Sequence, residues 1–363
     1  MRLALSGAIG DYRLWRHRVR KSGCAAPGSD RVLARLEELG RGTRKAIFIE
    51  TPDIPNLGDQ AITMAERRLV SALVDAPHVY IESGQSEDVL PYVRDLTTPD
   101  DLVLINGGGS MGDLYVPNEE RKCAWIDAFR GNRIIYCPQT VTYVGGAYSR
   151  ALRGHAARLY RSVGDLHLFA REMNSYRLMR DYYPGVDVGV TPDIVLSMGG
   201  MDTRPSMADR DGILLCMRDD KERLVTDDVL ACIERAAGGH GLAVASTDTV
   251  VRGWEGRMDM GDGERAVLSK LDEFRSARLV ITDRIHGMLF ATITGTPCLA
   301  MDNSNGKVGF EYGWLRDLPY TRFASDPAQI PGHVEELLEV GETRFPAEDF
   351  LSKFDVLINL IAG

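Results

Sequence analysis

The strongest constraint on the fold is a rhythm. Short apolar runs bounded by turn residues recur at 46–50, 79–81, 102–105, 133–137 and 166–170. Each is too short for a buried helix and apolar on both faces, as strands inside a parallel sheet must be. Segments of helical period at 60–74, 119–130 and 150–163 separate them, and strand–helix–strand alternation gives a doubly wound sheet. A stretch rich in Gly, Met, Asp and Ser, 197–212, breaks the rhythm. It then restarts with apolar runs at 213–217, 242–245, 279–282 and 298–301 and helices at 226–237, 263–276 and 286–294. The expected class is therefore α/β, with two Rossmann-like domains at 45–198 and 212–325 facing across a cleft. Residues 1–44 read as a basic arm or helix, 199–211 as a linker, and 326–363 as an acidic helical tail able to pack back on the first domain. A chain of 363 residues suits two domains.

Charge narrows the partners. The net charge is −9, which speaks against nucleic acid, whose phosphates need a basic footprint. An anionic substrate must then be held by local cations and helix N-termini. Residues 1–45 run against the trend, with eleven basic side chains and four acidic ones. With Leu14, Trp15 and Val19 interleaved, this stretch suits peripheral contact with an anionic inner-membrane surface. The competing reading is a solvated helix or a loose arm. None of the six cysteines forms a CxxC pair, so zinc spacing is absent and no metal is expected. Buried reduced thiols and a cytoplasmic setting are expected instead. No run approaches the ~20 apolar residues of a membrane span, and the N-terminus lacks the features of a cleaved signal peptide.

Five polar clusters follow apolar runs, where open α/β sheets bind ligands. Asp283-Arg284-Ile285-His286-Gly287 joins a strand to a helix. A cation, an imidazole and a helix N-terminus together suit a phosphate or carboxylate, and histidine suits proton transfer. Ser304-Asn305-Gly306-Lys307 lies on the same rim, where Lys307 adds charge or is a plain surface lysine. Asn56-Leu57-Gly58-Asp59 follows the first strand. Gly58 permits close backbone approach, and Asp59 either takes a proton from a hydroxyl or caps the helix. Asn106-Gly107-Gly108-Gly109-Ser110 offers backbone amides from Gly108 and Gly109, or is an ordinary loop; Asp113 lies nearby. It is not a Walker loop. Arg171 ends the run 166–170, facing the same edge or paired with an acid such as Glu172.

Taken together, these pieces resemble the polysaccharide pyruvyl transferase family. The resemblance rests on Asn56-Leu57-Gly58-Asp59, Gly107-Gly108-Gly109, Pro138-Gln139, Arg171-Glu172 with Ser175, Pro192-Asp193, Arg284-Ile285-His286-Gly287 and the Gly295-Thr296-Pro297 to Lys307 stretch. They span about residues 45–315 in the family's order. It implies a fold similar to GT-B glycosyltransferases and transfer of pyruvate from phosphoenolpyruvate to two hydroxyls of one sugar. The product is a cyclic ketal and phosphate. The acceptor is a sugar or glycan in a polysaccharide or its lipid-linked precursor, and no cofactor is implied beyond phosphoenolpyruvate as co-substrate. By resemblance, Arg284, His286 and Arg171 belong to the donor site, joined by Lys307 and Gly287. His286 is either proton donor or phosphate ligand. Asp59 or Asp113 is the candidate base. Clustered arginines suit a donor that carries a carboxylate beside a phosphate. Two alternatives are a GT-B glycosyltransferase using a nucleotide sugar and a non-catalytic relative that only binds sugar or anion.

Overall fold

The computed structural model describes residues 25–199, 209–220 and 222–363. Most of the basic arm and most of the proposed linker therefore lie outside the described residues. Contacts divide the described chain into two compact units. One holds 25–53, 66–191 and 356–363, and the other holds 54–65 and 192–355. The boundaries fall at 53/54, 65/66, 191/192 and 355/356, the second inside the helix that starts at Leu57 and the last inside the helix that starts at Asp355.

In the first unit, α1 (Ser29–Leu39) precedes β1 (Ala46–Thr51). Then come α2 (Leu57–Leu73), β2 (His78–Glu82), α3 (Ser86–Leu96) and β3 (Leu102–Ile105). The strand line resumes as β4 (Gly108–Gly112), followed by α4 (Val116–Ala128), β5 (Arg133–Thr142), α5 (Gly146–Arg161), β6 (Leu166–Ala170), α6 (Met173–Tyr182) and β7 (Asp187–Val190). Among the described residues the sheet order is β2-β1-β3-β5-β6-β7, with β4 also paired to β5. All pairings are parallel. Every residue of β1 and β3 is buried, which is why these strands read as uninterrupted apolar runs. Ile47, Ile49, Val103, Ile105, Trp125 and Phe129 are among the side chains of the core.

The second unit runs β8 (Asp211–Cys216), α7 (Asp227–Gly238), β9 (Val244–Thr247), α8 (Met260–Ser276), β10 (Ala277–Thr282) and α9 (Ile285–Ile293). It continues through β11 (Cys298–Met301), α10 (Lys307–Tyr312), β12 (Thr321–Ala324), α11 (Ile330–Leu338) and α12 (Ala347–Leu351). The parallel order is β12-β11-β10-β8-β9. Ile213, Leu215, Leu279, Ile281 and Leu299 from the strands meet Ile233, Val334 and Leu337 from the helices. The last helix, α13 (Asp355–Ala362), buries Leu357 and Ile361. Leu360 O accepts a hydrogen bond from Arg133 within the first unit.

Each sheet has one point where the strand order reverses. In the first, β1 has β2 on one side and β3 on the other; in the second, β8 stands between β9 and β10. Strand carboxyl ends at such a point open a crevice that α/β proteins use for ligands. At the first crevice Glu50 adopts a left-handed backbone, φ 59°. Its buried carboxylate accepts from Ser86 Oγ at 2.6 Å, Arg121 Nε at 3.0 Å and Trp125 Nε1 at 3.3 Å. Those bonds hold a conformation that side chains other than glycine rarely adopt.

Four strands depart from expectation. The glycine run is not an open loop: Gly108–Gly112 is strand β4, paired with β5. Gly108 and Gly109 thus belong to the sheet, and the amide of Gly107 donates to Glu66 at 2.7 Å rather than facing a ligand. The run expected at 242–245 forms β9 two residues later. The strands β7 and β12, four residues each, were too short and too polar to be read from pattern. Among the cysteines, Cys123, Cys137, Cys216 and Cys298 are buried and free.

Candidate active site

The turn from β10 into α9 is built by side-chain bonds to backbone. Thr282 Oγ1 donates to Cys216 O at 2.7 Å and accepts the amide of Arg284 at 3.0 Å. Asp283 reaches across the reversal point, its Oδ1 accepting the Arg218 amide at 2.8 Å. Burial pushes the Asp283 carboxyl up to about 6, because low dielectric penalises the charged form. Gly287 is required by packing: a Cβ there would lie 2.3 Å from Thr282 Oγ1.

Arg284 is enclosed by acids. Its Nε lies 2.8 Å from Asp248 Oδ1, and its two terminal nitrogens donate to Asp248 Oδ2 at 2.9 Å and Asp220 Oδ2 at 3.0 Å. Burial alone would lower its pKa, but these carboxylates outweigh burial and raise it. The guanidinium is permanently charged, yet already chelated.

His286 is the second residue of α9. Its Nε2 lies 3.7 Å from Asp193 Oδ2 and has no hydrogen-bond partner among the described residues. The ring rests on Gly58, where an added Cβ would fall 2.0 Å from Nδ1. Glycine is thus the residue that lets the start of α2 touch the imidazole. Asn56 sets that helix start. Its Oδ1 accepts the Gly58 amide at 3.1 Å and its Nδ2 donates to Asp59 Oδ2 at 2.7 Å. The segment is docked by Leu57 N to Thr249 O and Val251 N to Pro55 O. Asn56 therefore does the capping that the sequence alone left open for Asp59.

Asp193 is buried and oriented from two sides. Its Oδ1 accepts the Val195 amide at 3.0 Å, and its own amide donates to Glu311 at 3.0 Å. Glu311 lies on α10, which begins at the buried Lys307; the Lys307 amide donates to Asn303 at 3.2 Å. The second unit thus gathers Asn56, Gly58, Asp59, Arg284, His286, Gly287 and Lys307 on the elements that surround one strand-to-helix turn.

Arg171, Gly108, Gly109 and Asp113 belong to the first unit. Arg171 is buried at the end of β6, where its Nε donates to Thr140 at 2.7 Å and its amide to Gln139 O. Glu172 instead caps α6 by accepting the amides of Asn174 and Ser175. Asp113 accepts the Val144 amide at 2.8 Å, pinning the loop after β5.

A family model for polysaccharide pyruvyl transferases matches residues 56–305. The chain belongs to the polysaccharide pyruvyl transferase family. It is a transferase of the pyruvyl-transferring kind. General stress protein 30 of Bacillus subtilis (strain 168) is 30% identical over 332 residues, covering 90% of this chain and 94% of that protein. Pyruvyl transferase 1 of Schizosaccharomyces pombe is 27% identical over 289 residues, covering 76% and 70%. In fold, the UDP-GlcNAc 2-epimerase of Methanocaldococcus jannaschii is similar with a TM-score of 0.50 at 13% identity, covering 88% of this chain and 99% of that one. This places the transferase among GT-B-like α/β proteins.

Sequence reasoning missed the acids that surround the site. Asp193 stands in the Pro192-Asp193 piece, which was the available signal; that it follows a strand, β7, shows only in the structure. Asp220 and Asp248 had none, since nothing local marks an aspartate that will meet an arginine from another strand. Among the described residues, no helix is long and apolar enough to cross a membrane.

Proposed function

We propose that the donor is phosphoenolpyruvate and that the product is a cyclic pyruvate ketal on two hydroxyls of one sugar, with phosphate released. The observation that carries this reading is the His286–Asp193 pair beside Arg284 at the start of α9. Asp193 Oδ2 stands 3.7 Å from Nε2, and histidine is the side chain most often used to pass a proton to a reacting atom. Protonation at the methylene carbon of the donor leaves its neighbour electron-poor. One sugar hydroxyl adds there and loses its proton. The second hydroxyl then displaces phosphate from the same carbon. Of the two hydroxyl protons, one ends on the new methyl group by way of the acid and one on phosphate, so no oxidant or reductant is involved.

In this scheme His286 is the acid and Asp193 faces its Nε2. Asp59, fixed by Asn56, is the base that receives a hydroxyl proton. Arg284 and Lys307 hold the donor's carboxylate and phosphate, for which the planar guanidinium is well matched. Arg284 must first exchange a carboxylate partner for the donor.

The test is phosphate release from phosphoenolpyruvate over a panel of sugar acceptors, with mass analysis of the product. His286→Ala is expected to lower turnover by about 10²–10⁴-fold at unchanged melting temperature. Wild-type turnover in that variant would remove the acid assignment. Stabilisation of the protein by UDP or GDP but not by phosphoenolpyruvate would replace the reading with nucleotide-sugar transfer.

A further inference from the structure

The second unit holds a cavity of about 600 Å³ at the carboxyl ends of β8 and β9, beside α7. This is the size of a small-molecule pocket. Leu215, Met217, Val225 and Leu230 give it apolar walls, and Arg218, Arg223, Arg252 and Lys270 are its cations. Asp248 and Glu234 also line it.

Each of the four cations already has a carboxylate. Arg218 pairs with Asp220 at 3.0 Å and Glu222 at 2.8 Å, and Arg223 pairs with Asp227 at 2.8 Å. Arg252 pairs with Asp219 at 3.0 Å and Lys270 with Glu273 at 2.6 Å. A nucleotide or other polyanion entering the cavity would have to compete with every one of these acids. A neutral ligand rich in hydroxyls meets no such cost. Its hydroxyls can donate to the carboxylates and accept from the guanidiniums without breaking the pairs, and its carbon-bound faces can lie on the apolar wall.

The cavity also adjoins the reaction centre. Asp248 lines it and is the same side chain that chelates Arg284 at 2.8 and 2.9 Å. A hydroxyl bound to Asp248 therefore stands next to the guanidinium.

We propose that this cavity is the acceptor subsite and takes an uncharged saccharide. The link to the donor through Arg284 rests on the proposed function.

Full-length protein is titrated with methyl glycosides of glucose, galactose, mannose and N-acetylmannosamine, with binding read by saturation-transfer NMR and UDP as the anionic control. Wild type is expected to bind at least one glycoside and not UDP. Ser246→Trp fills the cavity from an exposed position on β9, and Leu230→Trp fills it from α7. Each is expected to weaken the glycoside by about tenfold or more, while the thermal shift caused by phosphoenolpyruvate is unchanged. Undiminished glycoside binding in both variants, binding of UDP in its place, or no glycoside binding by wild type at millimolar concentration overturns the proposal. Failure of phosphoenolpyruvate to stabilise wild type strikes the donor assignment instead, and the NMR result on the cavity is read independently of it.

Discussion

At the scale of single residues, the candidate site is governed by acids set against bases. Arg284 is held by Asp220 and Asp248, so an incoming anion competes with a carboxylate for the same donors. Asp220 is the more exposed of the two and the easier to displace. Asp220→Ala is expected to tighten phosphoenolpyruvate binding by about three- to tenfold, read as a fall in its Kd by calorimetry. Weaker binding in that variant would show that Asp220 positions Arg284 rather than competing for it. Asp283 makes a pH prediction. Its carboxyl is pushed up to about 6 by burial, above the ordinary aspartate range. The folded protein therefore keeps a proton that the unfolded chain has already released. Stability falls as pH rises through that window, and the full cost is present above about pH 6. Asp283→Asn keeps an acceptor for the Arg218 amide and removes the charge. A gain on the order of 1–3 kcal/mol is expected near neutral pH, vanishing at about pH 4. Chemical denaturation at both values checks this, and an equal gain at both would contradict it.

At the scale of elements, β4 shows how a glycine run becomes a strand. Gly112 has φ 107°, and a Cβ there would sit 2.0 Å from Thr142 O on β5. Its amide is taken by the buried Glu119 at 3.0 Å, whose other oxygen accepts Tyr160 Oη at 3.0 Å. Burial raises the Glu119 carboxyl pKa, partly offset by that amide, by Lys122 and by Tyr160. The strand depends on a close backbone approach that only glycine allows. Gly112→Ala is expected to cost about 2–4 kcal/mol in denaturant unfolding. A cost under about 0.5 kcal/mol would mean that β4 shifts freely to make room. The elements that pattern reading found and those it missed divide on the same physics. Strands β1, β3, β10 and β11 are buried on both faces and so appear as unbroken apolar runs. The strands β4 and β7 carry glycine and polar residues, because neighbours in the sheet, and not their own side chains, hold them in place.

At the scale of the whole molecule, the chain's last residues belong with its first half. Residues 356–363 count with the first unit, where Leu357 and Ile361 are buried and Leu360 O meets Arg133. Deleting them exposes two apolar side chains' worth of core. The first unit is expected to melt about 5–15 °C lower, seen by calorimetry, with the effect reproduced in part by Leu357→Ala. An unchanged melting profile after deletion would show that α13 adds nothing to that unit. The amphipathic pattern at 326–363 allows packing back on the first domain, but nothing local in it fixes which residues do so.

What this sequence determined by itself was whatever depends on near neighbours. The alternation of apolar runs and helical segments specified two parallel sheets. The placement of Arg284, His286, Lys307 and Asn56 after strands put them at carboxyl ends. The ordered motifs pointed to pyruvyl transfer. Tertiary structure alone decided which charges meet. Asp193 comes to His286, Asp248 and Asp220 close around Arg284, and Gly58 lies against the imidazole. The reason is physical: strand and turn preferences are set within a few residues, whereas an ion pair or a ring contact depends on distance in space between segments far apart in the chain.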